Sequence, residues 1–540
     1  MKSRHGVLLV AVGLLLPAGR EPDDLVRIKV DLSAPGHPIS PLIYGVSFAS
    51  AEVLRDLYLP LNRAGGNSAS LYNWRIDARN AGSDYFFESL PVRDPVRDQF
   101  GSGFVALTKR GGASAMLTFP LNGWVARLGP QRSPLAGFSV AKYGPQAVTD
   151  QWMPDAGNGF GKDRRPISGN DPDDAATPVS IADQQAWIRA LVAEWGRASQ
   201  GGVAYYLMDN EPSLWHLTHR HVRPVGAHTR EIADKVIEAA ATIKAVDPSA
   251  KIVAPEEWGW GGYKDSGFDQ QLAAAKGALA QSDRVRQTGG IDYLPWLLQR
   301  WKAAGSPVDV VSVHFYPQGG EYATGGNAGP QAIQLLRNRS TRLLWDKQYR
   351  EESWIAQPVA LVSLLRGWVD RYYRPGTPIA ITEYNWGGED SMSGATAQAD
   401  IWGIFGRERL DMANRWPAPK VGTPTYQAMK LIRNYDGNGA GFGDMSLPVT
   451  VPDSDRVSAF AARRSGDGAL TVLVINKQAD RDARLSIALA GRTPADARLR
   501  TIRLANRKVE TLPVERLNRN MMWTIAPPQS VTMLVLETQP

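Results

Sequence analysis

Two stretches of this chain put a glutamate where it can meet a substrate. One apolar run, Val203 to Met208, leads into Asp209-Asn210-Glu211-Pro212, and another, Ile379 to Thr382, leads into Glu383-Tyr384-Asn385-Trp386. Each run reads as a buried strand, so each carboxylate stands at a strand's C-terminal end, beside aromatic side chains that desolvate it and raise its pKa. Two carboxylates facing one another over a cleft are what glycoside cleavage requires: one protonates the leaving oxygen, and the other attacks C1 or activates water. For either glutamate alone, a salt bridge capping a loop accounts for the sequence equally well. The pair at two strand ends is the argument for chemistry.

Both runs belong to a longer rhythm. Short, β-rich apolar segments recur at Leu42 to Phe48, Leu61 to Gly66, Ala113 to Pro120, Val203 to Glu211, Lys251 to Trp258, Val308 to Pro317, Pro378 to Trp386 and Leu410 to Trp416. Amphipathic helical patterns lie between several of them, such as Asp183 to Gly196, with Trp187, Leu191 and Trp195 at i, i+4 and i+8, and His228 to Ala245. Strands alternating with helices mean parallel βα units, and eight of them predict an α/β fold, a (β/α)8 TIM-like barrel over residues 39–436 whose reactive groups sit at the C-terminal strand ends. From about Gly437 the texture changes to hairpin-spaced strands without helices: Val457 to Arg463, Leu470 to Asn476, Leu499 to Leu504, Trp523 to Ile525 and Val531 to Glu537. These predict an antiparallel β-sandwich over 437–540, joined by a lone N-terminal strand, Leu25 to Leu32, from the segment 21–38. The glycines of Gly437 to Gly443 imitate a phosphate loop, but no Lys-Ser/Thr or helix follows, so they read as a turn between the two domains.

Composition narrows the class. With 540 residues, 43% hydrophobic and 21% charged, the chain can bury a large core, which excludes a small disulfide-stapled module, wholesale disorder and a polytopic membrane protein. The net charge of +7 is scattered among acidic residues without aromatic interleaving, which argues against a nucleic-acid partner. Lys2 and Arg4 precede an apolar run from Gly6 to about Gly19, too short to span a membrane but suited to a signal peptide over 1–20, the alternative being a retained interfacial anchor. The expectation is a secreted or periplasmic protein, monomeric and free of the membrane once the leader is removed. The absence of cysteine removes disulfides, thiolate metal sites and a Cys nucleophile together.

The neighbouring motifs carry a resemblance. Arg63 to Asn67, Leu71 to Arg75, Trp152 to Gly157, Asp209 to Pro212 with Leu214-Trp215, Thr218-His219-Arg220, Glu257 to Trp260, Val313 to Pro317, Thr382 to Trp386 and Arg433 to Asp436 occur in an order that resembles glycoside hydrolase family 44 over nearly the whole barrel and into the C-terminal strands. The resemblance implies a barrel with a β-sandwich and a retaining endo-β-1,4-glucanase activity, extending to xyloglucan, that needs no cofactor. It makes Glu211 the general acid/base and Glu383 the nucleophile, with carboxyl groups about 5 to 5.5 Å apart. Asn210 becomes the donor to the sugar 2-OH, or else a turn residue. Arg63 and Tyr316 become hydrogen-bond donors that keep Glu383 ionised, or else packing groups of the barrel interior. The substrate-binding set implied along the cleft comprises these three residues with His314, Asn67, Tyr72, Trp74, Trp124, Trp258, Trp260, Trp386 and Trp416.

Tryptophan supports a polymer substrate. The chain has 17 Trp against 13 Phe, and flat indoles stack on pyranose faces. Trp74, Trp124, Trp215, Trp258, Trp260, Trp386 and Trp416 are expected partly exposed on the face of Glu211 and Glu383, whereas Trp187 and Trp195, at helical spacing, belong to the core. His216, His219 and His221 lack metal-ligand spacing and read as cleft or loop residues. Asp171 and Asp174 offer hard oxygen ligands for a structural calcium, with a solvated acidic loop the alternative. Two other functions compete: the same machinery acting on xylan or mannan, and a carbohydrate-binding pseudoenzyme without turnover.

Overall fold

The computed structural model describes residues 25–92, 100–491, 497–517 and 520–537. The signal-peptide segment 1–20 lies outside them. Eight parallel strands, Gly45–Ser47, Leu61–Ala64, Ser114–Phe119, Tyr205–Met208, Lys251–Glu257, Val310–Phe315, Ile379–Tyr384 and Met412–Arg415, close into a barrel in sequence order. All eight fall within the segments expected from the sequence. The first is shorter than its apolar run because Ser40 caps a 3-10 turn over Pro41–Tyr44, accepting a hydrogen bond from Leu42 N at 3.3 Å. The helical patterns appear as Ile181–Trp195 and Thr229–Val246.

The lower barrel interior is an apolar plug of Leu61, Met116, Leu207, Val253, Val310, Ala380 and Met412, one residue from each of seven strands. A strand points every second side chain to the same face. Two residues beyond three of these plug residues stand Arg63, Ser312 and Thr382, and beyond Ser312 comes His314, all of them buried. The change from apolar to polar along the same inward faces marks where packing gives way to chemistry.

The sandwich has a four-stranded sheet, ordered Val449–Thr450, Leu25–Asp31, Ala483–Ala490 and Met521–Ala526, against a larger sheet containing Val457–Arg463, Leu470–Asn476, Ser530–Glu537 and Arg498–Ala505. The N-terminal strand joins it as expected, but it pairs with Ala483–Ala490 in parallel, a departure from an all-antiparallel sandwich. A parallel pair needs a long crossover, and here the whole barrel forms it. Leu470–Asn476 is buried along its entire length. Val472 and Val474 face the core between the sheets, while Leu473 and Ile475 pack with the barrel's helical layer.

That contact centres on the helix Met392–Arg407, which follows the seventh barrel strand and is buried continuously from Ser393 to Gly406. A Cβ added at Gly403 would lie 2.3 Å from the Phe460 ring of the sandwich, so only glycine allows the two layers this approach. Lys477 Nζ reaches from the sandwich to Asp400 Oδ2 on the same helix at 2.6 Å, with both side chains almost wholly buried.

Candidate active site

Glu211 and Glu383 meet at the top of the barrel. The strand ladders shift register at Pro255/Glu257, Val313/His314 and Ile381/Tyr384, and such irregularities re-aim side chains. Here they accompany the turning of Glu256 and Glu383 toward Arg63 and His314. Asp209, Glu211 and Glu256 all adopt left-handed backbone conformations, with φ of 65°, 46° and 60°, which cost a non-glycine residue energy and persist only where the surroundings enforce them. The enforcement is visible. The Asp209 carboxylate accepts from Leu121 N at 2.5 Å, Asn122 N at 3.2 Å, Asn210 N at 2.7 Å and Ser70 Oγ, and Glu211 N donates to the Glu256 carbonyl at 3.0 Å. Burial still pushes the Asp209 carboxyl up to about 6 against those four donors.

Glu383 is held at both oxygens. Arg63 Nη1 donates to Oε1 at 2.7 Å and Tyr316 Oη to Oε2 at 3.0 Å. Glu211 meets His314 Nδ1, 2.9 Å from its Oε1. Carboxylate oxygens of Glu211 and Glu383 approach within 4.8 Å, and His314 Nδ1 lies 3.6 Å from Glu383 Oε2. Burial raises the Glu211 carboxyl above the usual carboxylate range, with His314 opposing the shift and the Glu383 charge adding to it.

Below the pair, Arg63 Nη2 donates to Glu256 Oε2 at 2.9 Å and to Asn210 Oδ1 at 3.3 Å. Asn210 Oδ1 also accepts from Gly66 N at 3.1 Å, and its Nδ2 donates to Asn67 Oδ1 at 3.2 Å, which fixes the amide with one N–H to spare. Burial alone would raise Glu256, yet Arg63 and His314 bring it down to about 2. Burial would lower His314, yet Glu383, Glu211 and Glu256 bring it up to about 10. Behind Glu211, the Glu257 carboxyl accepts from Ser213 Oγ at 2.6 Å and is pushed up to about 8, chiefly by burial.

The expected site residues divide. Arg63, Asn67, Asn210 and Tyr316 converge on the two glutamates as donors and orienting groups. His314 converges too, but it is fully buried and reaches the carboxylates rather than a sugar, so its assignment as substrate-binding is corrected to one beneath the pair. Trp416 is half-buried beside Gly66, where an added Cβ would lie 2.5 Å from its ring. Trp258, half-buried, covers Gly261 and Gly262 directly after the fifth strand. Trp124 stays half-exposed against the small cluster of Leu71, Ala176 and Val222.

Others leave the cleft. Tyr72 is buried, stacked on Phe100 at 5.4 Å, and its hydroxyl donates to Asp77, so it is a core residue. Trp74 lines a groove with Trp187 and Glu194 of the helix Ile181–Trp195 and lies under the Arg75 guanidinium. Trp215, Trp260 and Trp386 are buried in the main core, Trp386 donating from Nε1 to Ser340 Oγ at 3.1 Å. Their rings fill space behind the strand ends and have no free face for a pyranose. His219 and His221 are also core residues, and burial drives their imidazoles down, that of His219 to about 3, so both are neutral. Asp171 and Asp174 face the Lys142 ammonium, 3.4 and 2.5 Å away, so a lysine stands where a cation was expected.

Glu256, Asp209 and Thr382 take part in this network without having been singled out. The signal for Glu256 was present: two consecutive glutamates end the apolar run Lys251 to Glu257, and a strand cannot send both to solvent.

Comparison with known proteins agrees with this geometry. The profile of glycoside hydrolase family 44 matches residues 78–319. Endoglucanase A of Paenibacillus lautus is 30% identical over 546 aligned residues, covering 95% of this chain and 72% of that protein. Among solved structures, CelM2, a bifunctional glucanase-xylanase protein from a metagenome library, is 50% identical with a TM-score of 0.91, covering 95% of this chain and 99% of that one. A Paenibacillus polymyxa xyloglucanase from family 44 is 27% identical with a TM-score of 0.77, covering 95% and 100%. A relative of that identity aligned along most of both chains, together with a barrel mouth built around two glutamates, establishes that the chain is a glycoside hydrolase and belongs to glycoside hydrolase family 44.

Proposed function

We propose that this protein is an exported endo-β-1,4-glucanase that also accepts xyloglucan and works by double displacement with retention of configuration. One observation carries the mechanism: an oxygen of Glu211 and an oxygen of Glu383 approach within 4.8 Å, which favours the closely spaced carboxyls of a retaining enzyme over the roughly 6.5 to 9.5 Å at which an inverting enzyme admits a water between them. In the first step Glu383, aimed by Arg63 and Tyr316, attacks C1 while Glu211 gives its proton to the departing glycosidic oxygen. In the second, Glu211 takes a proton from water, the resulting hydroxide attacks C1, and the bond to Glu383 breaks. The raised Glu211 carboxyl keeps its proton to higher pH than an ordinary carboxylate and can so act as the acid. In this reading the spare N–H of Asn210 donates to the sugar 2-OH, and Trp416 and Trp258 offer ring faces to the pyranoses. The leader-like segment supports export, and the polysaccharide substrates named for the similar proteins support the glucan reading.

Xylan is the second reading, favoured by the bifunctional glucanase-xylanase that is 50% identical to this chain. Digestion of xyloglucan, carboxymethyl cellulose, xylan and mannan, with products sized by mass spectrometry, separates the two. Glucan oligosaccharides support the first, and exclusive release of xylo-oligosaccharides overturns it. Glu211→Ala tests the acid/base role: activity on poor leaving groups falls by about 10²–10⁴-fold, the range typical of general acid catalysis, while activated aryl glycosides retain much more of theirs. Equal losses on both substrate types contradict the assignment.

A further inference from the structure

Arg63 and His314 come unusually close. Arg63 Nη2 lies 3.2 Å from His314 Nε2, and neither side chain has any exposed surface. If both are cations, they repel strongly in a site this deeply buried. One atom resolves the conflict: Glu256 Oε2 is 2.9 Å from Arg63 Nη2 and 3.3 Å from His314 Nε2. The other oxygen, Oε1, accepts from Thr382 Oγ1 at 2.7 Å, so the carboxylate cannot swing away without losing that bond. Glu256 is itself fully buried beneath the reacting pair and touches no surface open to a sugar.

We propose that Glu256 is a positioning residue for the double displacement: as the shared counterion of Arg63 and His314 it keeps His314 an imidazolium, which donates through Nδ1 to Glu211 and sets the pH range over which Glu211 holds its proton. This rests on the reading of Glu211 as acid/base. Without a carboxylate at 256, the ring keeps Glu211 and Glu383 beside Nδ1 but loses its counterion at Nε2, the side that faces the guanidinium, and a ring that turns neutral has one N–H to share between its two sides. The groups acting on His314 are Arg63 from the second strand, Glu211 after the fourth, Glu256 on the fifth and Glu383 on the seventh. Those around Glu211 are His314, Glu383 and Arg63, with Glu257, Tyr263 and Tyr316 also within its field.

The sign follows from proximity. His314 touches the Glu211 carboxylate at 2.9 Å, whereas the Glu256 carboxylate reaches that group only through the ring. Losing the charges of both is therefore felt at Glu211 as the loss of the nearer, positive one. The anion of Glu211 becomes less stable, and the proton is held to higher pH.

Glu256→Gln tests this, since it keeps the side-chain shape and removes the charge. In the native protein the His314 ring nitrogens, followed by ¹⁵N NMR and assigned by their disappearance in His314→Gln, should report an imidazolium throughout pH 5 to 9. In Glu256→Gln the same ring should titrate within that window. The alkaline limb of kcat/KM should rise by about one pH unit, the order of shift a neighbouring charge produces. A purely structural role would lower kcat at every pH and leave the limb in place. Should Glu256→Gln fail to fold, His314→Gln must raise the limb in the same direction, because it also removes the imidazolium. A native ring that is neutral at pH 7, a ring still charged across the window in Glu256→Gln, or an unmoved limb in either variant overturns the proposal. Failure of the underlying reading shows separately, as equal losses on all leaving groups in Glu211→Ala.

Discussion

Glu383→Ala should lower kcat on a β-glucan by roughly 10⁵-fold, the order expected when a covalent nucleophile is removed, and azide should restore turnover on an activated aryl β-glycoside. The product should be the α-glycosyl azide, because azide enters from the face that Glu383 vacates while Glu211 remains to assist departure. The variant should fold. Arg63 loses one carboxylate but keeps Glu256 at 2.9 Å, so no unpaired guanidinium is left in the interior. The anomeric configuration, read by proton NMR, decides the matter. A β-azide, or a loss of less than tenfold, would remove Glu383 from the nucleophile role.

The second large effect is on stability. Lys477→Met strands the Asp400 carboxylate, which is 1% exposed and, among the described residues, left with Thr341 Oγ1 at 2.6 Å as its remaining side-chain donor. Breaking a buried pair by removing one partner costs about 3 to 5 kcal/mol, because the surviving charge is then uncompensated. Denaturant unfolding should report a loss of that order for the single variant. Lys477→Met combined with Asp400→Leu should recover most of it, since an apolar contact of similar volume replaces the pair. A single-variant loss below about 1 kcal/mol would mean that water reaches the carboxylate.

The barrel was legible because its strands, buried on both faces, appear as apolar runs of strand length separated by helical periodicity. The two glutamates were legible because a charge at the end of such a run has few other places to go. What the linear pattern hides is which side of a strand end a residue takes. Trp386 and Trp416 both follow barrel strands closely, yet one is core and the other stands at the mouth. His314 was expected to touch sugar, and it lies beneath the carboxylates because two-residue alternation from Val310 carries it inward. Glu256 depends on a register shift and a left-handed φ, which no hydrophobic period records. The parallel pairing of the first strand is likewise set by where the barrel returns the chain, far from any local turn signal.

The helix Met392–Arg407 has no solvated face: the helices Gln331–Arg339 and Pro424–Arg433 flank it, Tyr384 of the seventh barrel strand packs on Trp402 and Phe405, and Phe460 and the strands of the larger sheet cover the other side. A helix buried on all sides is stable only while both covers are present. The two layers therefore depend on each other for stability. A crossover that kept residues up to 436 and brought in a foreign sandwich would have to match a glycine-sized dent at 403 and a buried acid at 400, so productive recombination points should lie outside this boundary rather than along it.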